Sequence, residues 1–515
     1  MLKLTNPIKK FINAPVALKA SIVYLICSIL QKSLSFITMP LFTSILTKSE
    51  YGLYTVYTSW SSLFSIIITL NLAYGSFGNA MLKYENKREE YVSSIQGITL
   101  SFAMLCLCIY LPFNSFFNKL TNLPTSLMCL MIVEIVATFG FECWLGMQRY
   151  KFKYISVALV TILMAVLSPT LAYILIKNSS NKGEARILGY VIVTIVFGGC
   201  IFVYNIVKGR TFFSRKYWGY AFRFNLPLLA YYLSQVIFNQ SDKIMIEKIC
   251  DDGLSYAAVY GVGYQIALIL TFVLNALNNA YVPWLYNEIK DGDYKKNRKI
   301  STLMTILMCT LVGGVVWIAP EVIKVLAGSE YIDAIYVIPP VSISLILLLF
   351  SQFAINIEFY YAEKWKLVIA SIGAALLNVV LNLWLIPIFG FIAAAYTTLA
   401  SYVVFAVCNY FSVFRKIKKN GKLYGIYNVL LLLIIFAAFC ALVYVGVLLY
   451  EYPIARYSSI GAVILLLLCF SPTLYKKYKE FKAKSKQDNN ESLTLNSDNN
   501  ENDDLELNGD SIDEF

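Results

Sequence analysis

The feature that most constrains this chain is a succession of about fourteen apolar segments, each long enough to cross a bilayer as a helix. A helix needs about 20 apolar residues to span the hydrocarbon. Inside lipid every backbone polar group must be satisfied within the structure, so segments of this length form helices. They start near Ala20, Tyr54, Tyr91, Leu123, Val157, Ile187, Phe224, Tyr256, Ser301, Tyr336, Leu367, Phe391, Tyr424 and Ser458, separated by short polar loops. Hydrophobic residues make up 58% of the 515, above the roughly 45–50% of soluble domains, so the surplus apolar surface faces lipid. The expected fold is all-α and membrane-integral, with both termini on one side. The residues before the first span carry Lys3, Lys9 and Lys10 but no small-residue cleavage site. The apolar run after them is too long for a signal peptide, so it reads as the first span.

Charge sets the orientation. With the N-terminus in the cytoplasm, about 33 Lys and Arg fall on inside segments against about 9 on outside loops, with Lys32 left within a span. One missed helix would invert every later loop, so the asymmetry supports both the even number of spans and a cytoplasmic-membrane location with both ends inside. The organisation expected is a cytoplasmic N-terminus over 1–19, six spans over 20–210, six over 211–415, a further pair over 424–475, and a tail over 476–515. After Lys486 the tail has no basic residue and ten acidic ones, a composition that buries no core. The basic loops read as topology and anionic-lipid signals, not as a nucleic-acid surface. A short echo supports two repeats. LTKSEYGLYTVY at Leu46–Tyr57 and IEKICDDGLSYAAVYGVGY at Ile246–Tyr264 each join a charged turn to a Gly and Tyr run that opens the next helix. Two six-helix repeats in the same orientation place a cavity at their interface.

Absences narrow the function. There is no histidine, which removes the commonest general base and transition-metal ligand. The eleven cysteines have no CxxC spacing and read as small packing residues, and no nucleotide-binding or hydrolase motif is present. No cofactor is expected beyond a coupling proton or sodium ion.

Charges inside spans are the informative positions, since each costs at least about 2.5–3.5 kcal/mol at the bilayer centre. Lys32 lies thirteen residues past Lys19, roughly 20 Å into the membrane. It reads either as a cavity cation for a phosphate or carboxylate, or as half of a structural ion pair. Glu134, Thr138 and Glu142 recur at a spacing of four and form one polar stripe, suited to exchanging a proton or a cation, or to pairing with Lys32. Asp242 and Lys243, with Glu247 and Lys248, either line an outward opening or mark the interface. Glu358 forms a strip with Gln352 and Asn356; Asn378 and Asn382 read as helix-packing groups. Tyr260 and Tyr264 can offer a ring face and a hydroxyl to a sugar.

With LFTSILTKSEYGLYTVYTSW, QSDKIMIEKICDDGLSYAAVYGVGYQIA and fourteen spans without large loops, the chain resembles the polysaccharide flippases. These are the O-antigen and capsule repeat-unit exporters of the multidrug, oligosaccharidyl-lipid and polysaccharide exporter (MOP) superfamily. The resemblance implies two six-helix lobes around a cationic cavity, plus a helix pair, as in the MATE fold. It also implies translocation of undecaprenyl-diphosphate-linked oligosaccharide from the inner to the outer leaflet, with a glycan polymerase and chain-length machinery as possible partners. Lys32 would then meet the diphosphate, where relatives often carry arginine, a bidentate group that lysine replaces only as a point charge. A drug or cation antiporter, a peptidoglycan-precursor flippase, and a membrane glycan polymerase or ligase are the alternatives. The last of these usually needs a large external loop, and the loops here are short.

Overall fold

The computed structural model describes residues 15–292, 294–361, 365–420 and 425–461. The N-terminal 14 residues, most of the span expected from Ser458 and the acidic tail lie outside the described residues. The described residues up to Val447 form one compact unit, and those from Leu448 onward belong to a second.

The chain is a series of long helices: α1 Val16–Ile45, α2 Lys48–Thr69, the short α3 Ser76–Lys83, α4 Arg88–Tyr110, the short α5 Asn114–Thr121 and α6 Thr125–Tyr150. There follow α7 Tyr154–Asn178, α8 Lys182–Gly209, α9 Arg215–Ile249, α10 Gly253–Leu268 running with a break at Ile269 into α11 Leu270–Asp291, and α12 Lys295–Trp317. The short α13 Ala319–Leu326 and a 3-10 segment Ser329–Tyr336 lead to α14 Ile338–Tyr360, α15 Trp365–Phe389, α16 Ala393–Asn420 and α17 Val429–Leu448.

Among the described residues, eleven helical stretches are long and apolar enough to cross a membrane. The spans expected near Tyr54 and Phe224 are present as α2 and α9 but fall short on apolarity, for a reason visible in their sequences. TVYTSWSSLFS on α2 and LSQVIFNQSDK on α9 put hydroxyls, amides and charges on faces that other helices cover. Coverage varies accordingly. The apolar stretch of α14 is 72% buried and that of α10 and α11 is 67%, whereas α7 and α15 are 28% buried and present most of their side chains outward, where lipid solvates them.

Local chemistry starts and bends these helices. Thr47 and Glu50 form a reciprocal capping box at the N-terminus of α2, with Thr47 N–H on Glu50 Oε2 at 2.8 Å and Glu50 N–H on Thr47 Oγ1 at 3.3 Å. Proline interrupts the hydrogen-bond ladder in α1 (Pro40), α7 (Pro169), α9 (Pro227), α11 (Pro283) and α15 (Pro387). Small residues bring backbones together. A Cβ on Gly189 of α8 would collide with the Ala172 backbone of α7, and one on Gly198 with the Ala137 carbonyl of α6.

In the first half, α8 packs on α4, α6 and α7, and α1 on α7; in the second, α16 packs on α14 and α15, and α9 on α15. Two helices cross between halves. α2 packs on α6 and α8 and also on α9 and α10. The N-terminal part of α9 is tied to the first half. Tyr217 donates to Glu90 at 3.1 Å, Trp218 Nε1 to the Ser94 carbonyl at 3.0 Å, and Asn225 Nδ2 to Ser76 Oγ at 2.6 Å. Beyond Pro227, Ser234 and Gln235 meet Ser371 of α15 at 2.8 and 2.6 Å.

The halves also meet along a seam at the end that the charge asymmetry assigns to the outside. The two echoed segments cross there: a Cβ on Gly52, at the start of α2, would fall inside the Leu254 carbonyl at the start of α10. Nearby, Thr43 donates to the Leu326 carbonyl at 3.3 Å, Asn122 Nδ2 to Glu247, and Lys248 Nζ to the Lys119 carbonyl at 3.1 Å.

Candidate functional site

Among the described residues, the buried polar side chains include three groups that bear on function. The first surrounds Glu134 on α6, which is 4% exposed. Its Oε2 accepts from Ser61 Oγ at 3.1 Å and Tyr57 hydroxyl at 3.3 Å, both on α2, and the Tyr190 hydroxyl of α8 also bonds to it. The carboxylate borders a cavity of about 200 Å3 whose other polar walls are Thr58, Ser61, Ser62, Ser65, Thr138 and Tyr190. The serines and threonine of α2 recur at helical spacing, so one face of that helix supplies most of the hydroxyls. Glu142, two turns along α6, does not join them: it is half-buried and bonded to the Tyr74 hydroxyl beyond the end of α2.

The second group centres on Asp242, which has no exposed surface. Asn382 Nδ2 donates to its Oδ1 at 2.6 Å, Thr398 Oγ1 to its Oδ2 at 2.6 Å, and the Tyr260 hydroxyl also to Oδ2. Thr397 in turn bonds to Asn382, and Asn378 links Ser241 with Thr398. Four helices, α9, α10, α15 and α16, thus converge on one carboxylate. Beside it Lys243, 8% exposed, donates to Gln240 Oε1 at 2.9 Å and lies over the Tyr264 ring, 4.7 Å from its centre. Tyr264 stacks on Tyr260 and donates to Asn239 at 3.1 Å. Asp242, Lys243, Tyr260 and Tyr264 are therefore brought together as one buried cluster. Gln240 also accepts from Ser59 of α2 at 3.2 Å. Through α2 the Asp242 and Glu134 groups are one helix apart.

The third group is at the seam. Arg186, at the start of α8, is 6% exposed and lies 4.5, 4.1 and 4.0 Å from the ring centres of Phe42, Tyr51 and Tyr54. Tyr51 makes an edge-to-face contact with Tyr331 at 6.0 Å, so the caged cation touches the first half and, through Tyr51, the second. Arg186 reads in sequence only as a loop charge.

Glu358 is buried on α14 near the pair formed by Asn356 and Asn278, 2.8 Å apart. Lys32 lies on α1, and its side chain is outside the described residues. Among the described residues no three of His, Cys, Asp or Glu gather as a metal site. The Asp242 group is a carboxylate met by one amide N–H and two hydroxyl donors, with no nitrogen or sulfur ligand of the kind a transition metal takes. Thr397 and Thr398 carry no sequence signal of their own; Gln240 does, within the polar block Asn239 to Lys243 of its span, and so do Asn378 and Asn382, as polar residues in a span.

The fold is that of an all-helical protein with many membrane-length helices. The sequence profile of the polysaccharide biosynthesis protein family matches residues 17–287. The chain belongs to that family, and it is a multi-pass membrane protein whose fold is shared with solved transporters. It is 24% identical over 367 residues to "Lsg locus putative protein 1" of Haemophilus influenzae, covering 67% of this chain and 85% of that one. Its structure is similar to lipid II flippase MurJ in an inward closed conformation, with a TM-score of 0.67 and 14% identity over 89% of this chain and 99% of that one. It is also similar to an inward-facing multidrug resistance MATE transporter, with a TM-score of 0.55 and 14% identity over 76% and 96%.

Proposed function

We propose that this protein moves a polyprenyl-diphosphate-linked oligosaccharide, of the undecaprenyl class, from the inner to the outer leaflet by alternating access, driven by a proton or sodium gradient. The observation that carries this reading is the placement of polarity. The two long helices too polar for lipid, α2 and α9, face one another at the junction of the halves, with Glu134 and Asp242 buried beside them and the outer seam closed. In this reading residues 20–210 and 211–415 act as lobes and the prenyl chain stays in lipid between them. The Lys32 ammonium neutralises the diphosphate.

Glu134 and Asp242 are the coupling groups. Each is a carboxylate held by neutral donors, so loading with a proton or cation changes the net charge that must be desolvated as the halves move, and that difference biases one conformation. Lys32→Ala is expected to abolish export while the protein still accumulates in the membrane, and Lys32→Arg to retain it. Surface glycan at the normal level in the alanine variant sinks the assignment.

A further inference from the structure

A second cavity, of about 500 Å3, opens between α12 and α17, away from the polar interior. Its mouth is basic: Lys295, Arg298 and Lys299 stand on the first turns of α12, and all three are exposed. Its floor is apolar, formed by Leu303, Ile306 and Leu431. Ile306 is eleven residues past Lys295, about 16 Å deeper along the helix, so the cations sit at the membrane surface and the floor within the hydrocarbon.

The walls are fixed. Buried Asn297 donates to the Ile426 carbonyl at 2.7 Å and accepts from the Tyr281 hydroxyl at 2.8 Å. Tyr427 meets Tyr281 at 3.0 Å and donates to the Phe353 carbonyl at 3.0 Å. Gly425, at φ 75°, has no Cβ to displace the Arg298 guanidinium lying against it. Asn428 caps α17 through the Leu431 N–H at 3.3 Å, so the N-termini of α12 and α17 both open on the mouth and add their positive dipole ends.

We propose that this groove binds an anionic phospholipid of the surrounding bilayer, its phosphate against Lys295, Arg298 and Lys299 and an acyl chain along Leu303, Ile306 and Leu431. Charge and depth together select this occupant. A free phosphate leaves the apolar floor uncovered, and in the acidic tail after Lys486 the apolar side chains are scattered among ten acids, so inserting them would carry charge into the hydrocarbon. The bound lipid covers the α12 and α17 faces without entering the transport path.

The test is native mass spectrometry of the full-length protein titrated with phosphatidylglycerol and, separately, with phosphatidylcholine of the same acyl chains. Phosphatidylglycerol is expected to bind more tightly, and each cation removed to cost about fivefold in that preference, corresponding to about 1 kcal/mol per Lys or Arg near an anionic headgroup. The triple variant Lys295→Ala, Arg298→Ala, Lys299→Ala should bind the two lipids equally, while Lys295→Arg with Lys299→Arg keeps the preference. If the triple variant does not accumulate, Arg298→Gln alone should show the single fivefold loss. Equal binding by the unaltered protein, or a preference that survives the triple variant, overturns the proposal. So does a preference that emerges only when the ten acids after Lys486 are replaced by Asn or Gln, which would make the tail the occupant. Competition by undecaprenyl phosphate together with lost export in the triple variant would assign the groove to the transported lipid instead. Lys32→Ala should bind phosphatidylglycerol as the unaltered protein does, so the two readings fail separately.

Discussion

At the scale of single residues, the interior is governed by the cost of burying charge. A carboxylate with no exposed surface is tolerated because its oxygens accept several hydrogen bonds, and Asp242 accepts three, from residues on three other helices. Tyr260→Phe removes one donor and is expected to lower stability by about 1–3 kcal/mol, read as an earlier unfolding transition in detergent. Asp242→Asn should behave differently. The amide keeps the size and one acceptor oxygen but not the charge, so folding should hold to within about 1–2 kcal/mol while gradient-driven export into vesicles is lost. An Asp242→Asn protein that exports at the normal rate under a gradient would remove this group from coupling. The aspartate itself was legible in the sequence as a charge in a span. Its surroundings were legible only in part: Asn382 shows as a polar residue in a span and Thr398 not at all, and with 140 and 156 residues between them and Asp242 nothing local says that they meet it.

At the scale of helices, the seam explains one of the two echoed glycines, Gly52, whereas Gly253 is held close to the Glu247 backbone of its own turn. Gly52 and Leu254 sit where the start of α2 crosses the start of α10, and the crossing leaves no room for a side chain. Gly52→Ala would set a methyl against backbone that cannot swing aside, so the halves must part at that end. The expected outcome is increased thiol labelling of a cysteine introduced at Tyr331 or Leu326; labelling unchanged from the parent shows that the crossing does not hold the seam. Arg186→Lys should loosen the same seam less, since an ammonium keeps attraction to the rings but loses the planar stacking of the guanidinium. The two helices hardest to recognise by apolarity, α2 and α9, are the ones that line the polar interior. Their hydroxyls and amides weaken the signal for a span for the same reason that they supply the site.

At the scale of the whole molecule, the ends of the helices sort by charge. The basic ends of α4, α6 and α8 meet at one face, where Glu89 bonds Lys151 and lies 3.6 Å from Lys208, while the seam with few lysines closes the opposite face. A fluorescent protein fused after Phe515 should therefore fluoresce, and alkaline phosphatase fused there should stay inactive; the reverse pattern would invert the topology. The sequence alone placed and ordered thirteen of the fourteen expected spans where described helices run, the fourteenth lying outside the described residues. Transfer of an apolar segment into lipid and retention of Lys and Arg on one side are settled segment by segment, without reference to any partner. Only the tertiary structure decided which polar residues meet. It separated Glu134 from Glu142, gathered Asp242, Lys243, Tyr260 and Tyr264, and set Arg186 among three rings, because a hydrogen bond or a ring contact requires a partner from a distant helix whose rotation no single span specifies.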